Sequence, residues 1–243
     1  MKIMSICVTL TACVCCYPVR AQQDTQTWFD FVIDYPFKNQ YLAELELSYQ
    51  SMLTGDSTWR SYNITPTFEY QFFTSVDFVA SAPLSYTVQT ENSETFESRI
   101  TLEARWHITQ NKRINTRFVL KGDKRFFQDL ETKKWDNSTR LRFKLEATVA
   151  INGPNLYQDK LWYAIADYEE FLVMDKQLDE RYANRRRARL GAGYRLDYQN
   201  RFELIYTLQV SRDEIQDSFE STDNVLQLRY KMFLNPAKPT EIK

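Results

Sequence analysis

Most of this 243-residue chain has no cysteine. All four cysteines lie near the start, at Cys7, Cys13, Cys15 and Cys16. If that stretch is removed as a leader, no thiol remains, which excludes a disulfide framework and a cysteine metal site. The chain also has a single histidine, His107, and this argues against a transition-metal centre. We therefore predict no metal and no cofactor.

Glycine and proline are scarce, at 5 and 7 residues, and an excess of charge of one sign is missing as well. The 31 basic and 32 acidic residues nearly cancel, so no overall field favours nucleic acid as a partner. After the leader, no run approaches 18 consecutive apolar residues, which excludes a transmembrane helix. The mean hydropathy of −0.52 is low for a membrane protein. It does not exclude a membrane barrel, because the polar and apolar residues that alternate along each barrel strand average to a low hydropathy.

The first 21 residues have the pattern of an export signal. Lys2 supplies the positive start, residues 3–17 are largely apolar, and Val19-Arg20-Ala21 carries small residues where signal peptidase cleaves. This predicts a signal peptide over 1–21 and a mature N-terminus at Gln22. An alternative remains open, because Leu10-Thr11-Ala12-Cys13 also fits a lipoprotein box that would leave Cys13 acylated.

Strict alternation of apolar and polar residues organises the rest of the chain, most clearly over residues 185–212. Side chains of a strand have a period of two, so one set faces each side. Each arm of this predicted hairpin spans about 11 residues, close to the ~9–11 of a membrane-crossing strand. The apolar set is Ala188, Leu190, Ala192, Tyr194, Leu196, Tyr198, Phe202, Leu204, Tyr206, Leu208 and Val210.

Ten similar segments recur from Tyr41 to Phe233, and Trp28 to Asp34 is a candidate for an eleventh. Bacterial single-chain barrels have even strand counts, so we expect ten or twelve strands. Pro66 and Pro83 fall inside segments and predict bulges or strand ends, because proline cannot donate to the ladder. Short connections near 72–74, 110–112, 152–155 and 199–200 alternate with longer ones over 51–58, 90–95, 128–135, 175–180 and 214–222.

Alternation alone does not say which face is buried. Long segments, aromatic residues near segment ends and rows of arginines with carboxylates favour lipid outside and charge inside. The predicted fold is all-β, a closed antiparallel up-and-down transmembrane β-barrel of 10–12 strands with a charged lumen. One outer-membrane domain would cover 22–243, with strands over about 27–233 and a polar tail over 234–243. Outer-membrane lipid and the barrel-assembly machinery are its expected partners.

The chain resembles a known family in its signal peptide, its early hairpin at Trp28, its arginine-rich strands and the run Arg189 to Leu196. That family is an uncharacterised group of bacterial outer-membrane barrels, the domain of unknown function numbered twenty-four-ninety. The resemblance implies a fold and a location, and it implies no activity and no site residues. The tail after Phe233 departs from barrels that end on a terminal aromatic residue.

The charged face is the candidate site, as an ionic network in the lumen. Two interpretations stay open: a packed ladder that seals a narrow barrel, and a pore or groove whose basic side attracts anions. The predicted members are Arg140, Arg142, Lys144, Arg185, Arg187, Arg189, Arg195, Arg229, Glu44, Glu46, Glu69, Glu103, Asp167, Glu169 and Glu203.

Three functional hypotheses follow. The first is a non-enzymatic outer-membrane barrel, either structural or a narrow transport channel. The second is a barrel-embedded lipid or peptide hydrolase, in which His107 would act as general base with a serine such as Ser81 or Ser85; no nucleophile motif surrounds either serine. The third is a soluble secreted β-protein that binds an apolar ligand inside.

Overall fold

The computed structural model describes residues 25–38, 40–54, 58–110, 112–175, 186–211 and 221–234. These residues form strands joined by turns and loops. The strands are β1 (Thr25–Phe37), β2 (Tyr41–Met52), β3 (Arg60–Phe73), β4 (Val76–Ser81), β5 (Leu84–Thr90), β6 (Ser93–Thr109), β7 (Ile114–Asp129), β8 (Trp135–Ala150), β9 (Leu161–Val173), β10 (Arg186–Arg195), β11 (Asn200–Ser211) and β12 (Ser221–Phe233).

All strands join one sheet that closes on itself, so the predicted β-barrel is confirmed. β4 and β5 are two halves of one wall strand, because both pair with β3 on one side and β6 on the other. The wall formed by the described residues therefore has eleven strands, and the expected even count of ten or twelve was wrong. The seam pairs β1 with β12 in parallel, from Thr25↔Asn224 to Asp34↔Phe233. An odd number of alternating strands must bring two of the same direction together, so the ladder is antiparallel everywhere except at the seam.

The parallel seam defines two ends of the barrel. The N-terminal rim is where β1 begins at Thr25, and the C-terminal rim is where β12 ends at Phe233. By the strand bounds, the connections at the C-terminal rim are short over 38–40, 74–75, 110–113 and 196–199 and long over 151–160. Those at the N-terminal rim are longer over 53–59, 130–134, 174–185 and 212–220 and short over 91–92.

Two predicted connection lengths were wrong. The expected loop over 90–95 shrinks to two residues, because Ser93 and Thr95 extend the β5–β6 ladder. The connection between β8 and β9, expected to be short, occupies ten residues, 151–160.

The two prolines occupy one break in the wall. Pro83 lies between β4 and β5, as predicted, while Pro66 lies within β3 at the point where its partner changes from β5 to β4. The carbonyl of Pro66 accepts from Ala82 N (3.1 Å), and that of Pro83 accepts from Arg99 N (2.9 Å). Each proline thus keeps its acceptor bond, and the missing donor falls where the ladder is already interrupted.

The outer surface of the barrel is apolar and arranged in bands. Leu47, Ile64, Ile100, Leu102, Leu145, Leu190, Leu204 and Leu228 are exposed on it. Aromatic rings flank this aliphatic middle. On the C-terminal side Tyr41 stacks with Tyr70 (5.1 Å), and Trp162 meets Tyr194 (4.8 Å). On the N-terminal side Tyr49 meets Tyr62 (5.2 Å).

Not every aromatic residue near a segment end belongs to these bands. Trp28 and Trp59 are buried and line the interior with Phe233, because each has the parity of the polar face of its segment. Among the described residues, no helix is long and apolar enough to cross a membrane.

Candidate functional site: the charged lumen

The inward faces of the strands enclose a cavity of about 810 Å³. Alternation alone produces it, since every second residue of each wall strand points to the axis. Gln26 and Trp59 line the cavity at the N-terminal rim, and Arg195 and Phe233 line it at the C-terminal rim. One cavity therefore reaches from rim to rim.

The structure brings most of the predicted network together. Thirteen of the fifteen residues line the cavity; Glu169 is fully buried beneath Arg142 and Arg187, and Arg185 lies outside the described residues. The predicted set omitted several charged residues on the same face. Alternation pointed to them too, and they are Asp30, Asp34, Asp77, Glu97, Arg99, Arg105, Arg117, Lys121, Asp123, Arg125, Glu146, Arg201 and Lys231.

Asp123, on β7, is the hub of the basic side. Its Oδ2 accepts from Arg140 Nε (3.0 Å), and its Oδ1 accepts from Arg142 Nη2 (3.1 Å) and from the Thr101 hydroxyl (2.8 Å). The side chain is 1% exposed. Buried charges are tolerated only when paired and hydrogen-bonded, so this carboxylate is what permits two arginines to lie side by side.

The same arginines continue into a second hub at Glu169. Arg142 Nη1 lies 3.4 Å from Glu169 Oε1, and Arg187 Nη2 lies 2.7 Å from Glu169 Oε2. The guanidinium carbons of Arg140 and Arg187 lie over the Phe171 ring, at 5.0 and 5.3 Å from its centroid. Cation–π contacts and charge-assisted hydrogen bonds together fix these side chains against the wall.

The middle of the lumen holds the lysines. Lys121 pairs with Glu103 (2.7 Å), and Lys144 pairs with Glu146 (2.5 Å). Arg189 Nε donates to both oxygens of Asp167, at 2.8 and 3.0 Å.

Acidic residues dominate the opposite wall around the seam. Lys231 bridges Asp34 (2.9 Å) and Glu44 (2.8 Å), and Arg229 bridges Asp30 and Glu203 (3.2 and 3.3 Å). These two cations come from β12, the neighbour of β1. Glu46 forms no hydrogen bond or ion pair with any residue that the structure describes, yet it lines the cavity.

Lumen charges are segregated around the ring. From β1 to β5 every charged side chain on the cavity wall is acidic: Asp30, Asp34, Glu44, Glu46, Glu69 and Asp77. From β6 to β10 the inward face is mainly basic. Eleven basic residues, Arg99, Arg105, Arg117, Lys121, Arg125, Arg140, Arg142, Lys144, Arg187, Arg189 and Arg195, stand against six acidic ones, Glu97, Glu103, Asp123, Glu146, Asp167 and Glu169.

Amides and hydroxyls predominate at the N-terminal rim, beside the buried carboxylate of Asp223, which accepts from Gln209 Nε2 (3.5 Å). Trp28 Nε1 donates to Gln26 Oε1 (3.0 Å), Gln89 Nε2 donates to Thr95 (3.0 Å), and the hydroxyls of Ser61 and Thr87 are 2.7 Å apart. Amides and hydroxyls here replace the ion pairs found deeper in the lumen.

His107 lies on the lumen face near the C-terminal rim, with Nε2 2.5 Å from Asp77 Oδ2. Ser81 is four residues from Asp77 along the same strand, roughly 13 Å at the rise of an extended chain. Ser85 lies farther along on β5. The structure thus gives His107 a carboxylate and places neither candidate serine beside it. Among the described residues, no cluster of three or more potential metal ligands is found.

A family model described as "Protein of unknown function (DUF2490)" matches residues 25–220. The chain belongs to this family. The resemblance drawn from the sequence is thereby confirmed, and the family contributes no activity. Among solved structures, a structure described as a NanC porin in a rhombohedral crystal form is similar at 12% identity and a TM-score of 0.46, covering 78% of this chain and 89% of that chain. Comparison with curated proteins gives no match.

Proposed function

We propose that this protein is an outer-membrane barrel whose lumen conducts small polar solutes. Export would use the signal peptide over 1–21, and residues 22–243 would form the single barrel domain. The observation that carries the proposal is one charged cavity reaching from rim to rim inside a wall whose outer face is apolar.

The banded outer surface supports the membrane part of the proposal. On β2, Tyr41 and Tyr49 mark the two aromatic bands and are eight residues apart. At a rise of ~3.4 Å per residue this is about 27 Å along the strand, and a tilt of ~40° reduces it to about 21 Å across the membrane. Outer-membrane barrels have an apolar band of about 25 Å between aromatic girdles. The bilayer thus matches the surface that this barrel presents.

The ion pairs support a channel over a sealed ladder. Most pairs join neighbouring strands, as Lys121 does with Glu103 and Arg189 with Asp167, so the side chains are held along the wall. About 810 Å³ remains between the walls, which is within the ~300–1,000 Å³ that encloses small molecules in protein cavities.

Neither alternative has comparable support. A soluble protein that binds an apolar ligand requires an apolar interior, whereas this interior is lined with charges and the apolar side chains are outside. The hydrolase requires a nucleophile beside His107, and the described hydrogen bonds of its ring involve Asp77.

Conductance in planar bilayers tests the channel with a matched pair of variants. Thr65 lines the cavity on β3, and its neighbour Ile64 is exposed on the outer face. We expect Thr65→Trp to lower the single-channel conductance and Ile64→Trp to leave it unchanged, because only the first indole enters the lumen. The proposal would be overturned by a flat trace for the unmodified protein when a difference in gel migration between boiled and unboiled samples shows that the protein is folded.

A further inference from the structure

The feature that carries a further inference is the separation of charge across the lumen. In a ring of eleven wall strands, β8 lies five strands from β2 in one direction and six in the other. Glu46 on β2 and Lys144 on β8 are therefore on opposite walls. Glu46 is the sixth residue of its strand from the C-terminal rim, and Lys144 is the seventh from the same rim, so both lie near mid-depth.

At this depth, further acidic residues lie beside Glu46 on its wall and further basic residues lie beside Lys144 on the opposite wall. Asp30, the eighth residue of β1 from that rim, joins Glu46 on the acidic side and is paired with Arg229 of β12. Arg189 and Lys121, the seventh and eighth residues from that rim on β10 and β7, join Lys144 on the basic side. Each of these three cations is paired with a carboxylate, and the net positive charge of this side comes from its eleven basic residues against six acidic ones. Opposed rows of charge across a narrow water-filled space produce a field that is perpendicular to the barrel axis.

Such a field acts differently on solutes of different charge. A monovalent anion is attracted by the basic wall and repelled by the acidic wall. A monovalent cation is attracted by the acidic wall and repelled by the basic wall. A neutral solute gains little. A dipolar ion, with an ammonium and a carboxylate on one small skeleton, turns so that each end faces the wall of opposite sign, and both of its charges gain.

We propose that the lumen selects small dipolar ions, the class that includes α-amino acids, over neutral and singly charged solutes of the same size. The proposal rests on the proposed channel function. Glu46 is its clearest determinant, because this carboxylate forms no hydrogen bond or ion pair with the described residues and is available to an ammonium group passing through the lumen.

Efflux of radiolabelled solutes from lipid vesicles containing the refolded protein tests the selectivity. Four probes share one skeleton: serine is dipolar, glyceramide is neutral, glycerate is an anion and serinamide is a cation. We expect serine to leave about fivefold faster than glyceramide, the factor for one charge–charge attraction in a water-like medium. We expect glycerate and serinamide to be slower than serine.

Two matched substitutions localise the effect. Glu46→Gln removes a lumen carboxylate that has no described ion pair, and we expect it to bring the serine rate close to the glyceramide rate. Glu131→Gln makes the same chemical change in the exposed turn between β7 and β8 and should keep the preference. Migration without boiling verifies that both variants are folded.

The outcomes separate this inference from the function it rests on. Vesicles that retain all four solutes, with no ionic conductance, would overturn the channel itself. Equal efflux of serine and glyceramide through a conducting barrel would overturn the dipolar selectivity and leave the channel standing. A preference for serine that survives Glu46→Gln would also refute the inference, because the acidic wall would then not be its cause.

Discussion

Replacing Asp123 with asparagine removes the carboxylate shared by Arg140, Arg142 and Thr101. The substitution keeps the shape of the side chain but leaves two buried guanidinium groups without that counter-charge. Breaking a buried ion pair from one side costs about 3–5 kcal/mol. Because Asp123 is 1% exposed and serves two arginines, we expect a loss at the upper end of that range in the free energy of unfolding.

Urea unfolding of the barrel in lipid vesicles, followed by tryptophan fluorescence, measures this loss. Asp159→Asn is the matched control, because Asp159 is exposed in the connection between β8 and β9; we expect a change of less than about 0.5 kcal/mol. The double variant Asp123→Asn with Arg140→Gln removes one uncompensated charge and should recover about 1 kcal/mol or more. Equal stability of Asp123→Asn and Asp159→Asn would refute the view that this carboxylate holds the basic wall together.

Three further outcomes are expected. Gly193→Ala should destabilise the barrel by about 1–3 kcal/mol, because a β-carbon there would overlap the Tyr163 ring. Adding Tyr163→Leu should restore part of the lost stability in the same urea titration. Unchanged stability of Gly193→Ala would contradict the close approach of the glycine and the ring. The parallel seam places the start of β1 and the end of β12 at opposite rims. In vesicles with oriented barrels, we therefore expect a protease site before Thr25 to be cut from one side of the bilayer and a site after Phe233 from the other. Cleavage of both sites from the same side would contradict the seam. His107→Ala should leave single-channel conductance within about twofold and lower the free energy of unfolding by about 1–3 kcal/mol, because the buried Asp77 carboxylate loses its hydrogen bond to the imidazole. Unchanged stability would show that the pair contributes nothing.

The sequence was sufficient for the architecture because alternation is a local property. Whether a side chain faces the lumen depends on its parity within a strand, so Glu203 and Arg229 were placed inward before any pairing was known. The same rule extends to Asp123 and Lys231, which the predicted network omitted although parity points them inward as well.

The parity of a residue within its strand does not predict which charged side chains form ion pairs with each other. Glu46 and Glu44 are alike in the sequence, yet Glu44 pairs with Lys231 across a seam that joins residues 187 positions apart, and Glu46 forms no such pair among the described residues. The strand count and the parallel seam were also beyond the sequence, because closure depends on how the first and last strands meet.

Local alternation therefore determined the β-barrel, its apolar exterior and its charged interior. Tertiary structure alone decided that the eleven-strand ring sets an acidic wall opposite a basic one, because the position of each strand around the axis is fixed only when the sheet closes. The proposed selection of dipolar ions depends on the same closure of the sheet, because it requires the acidic wall to face the basic wall.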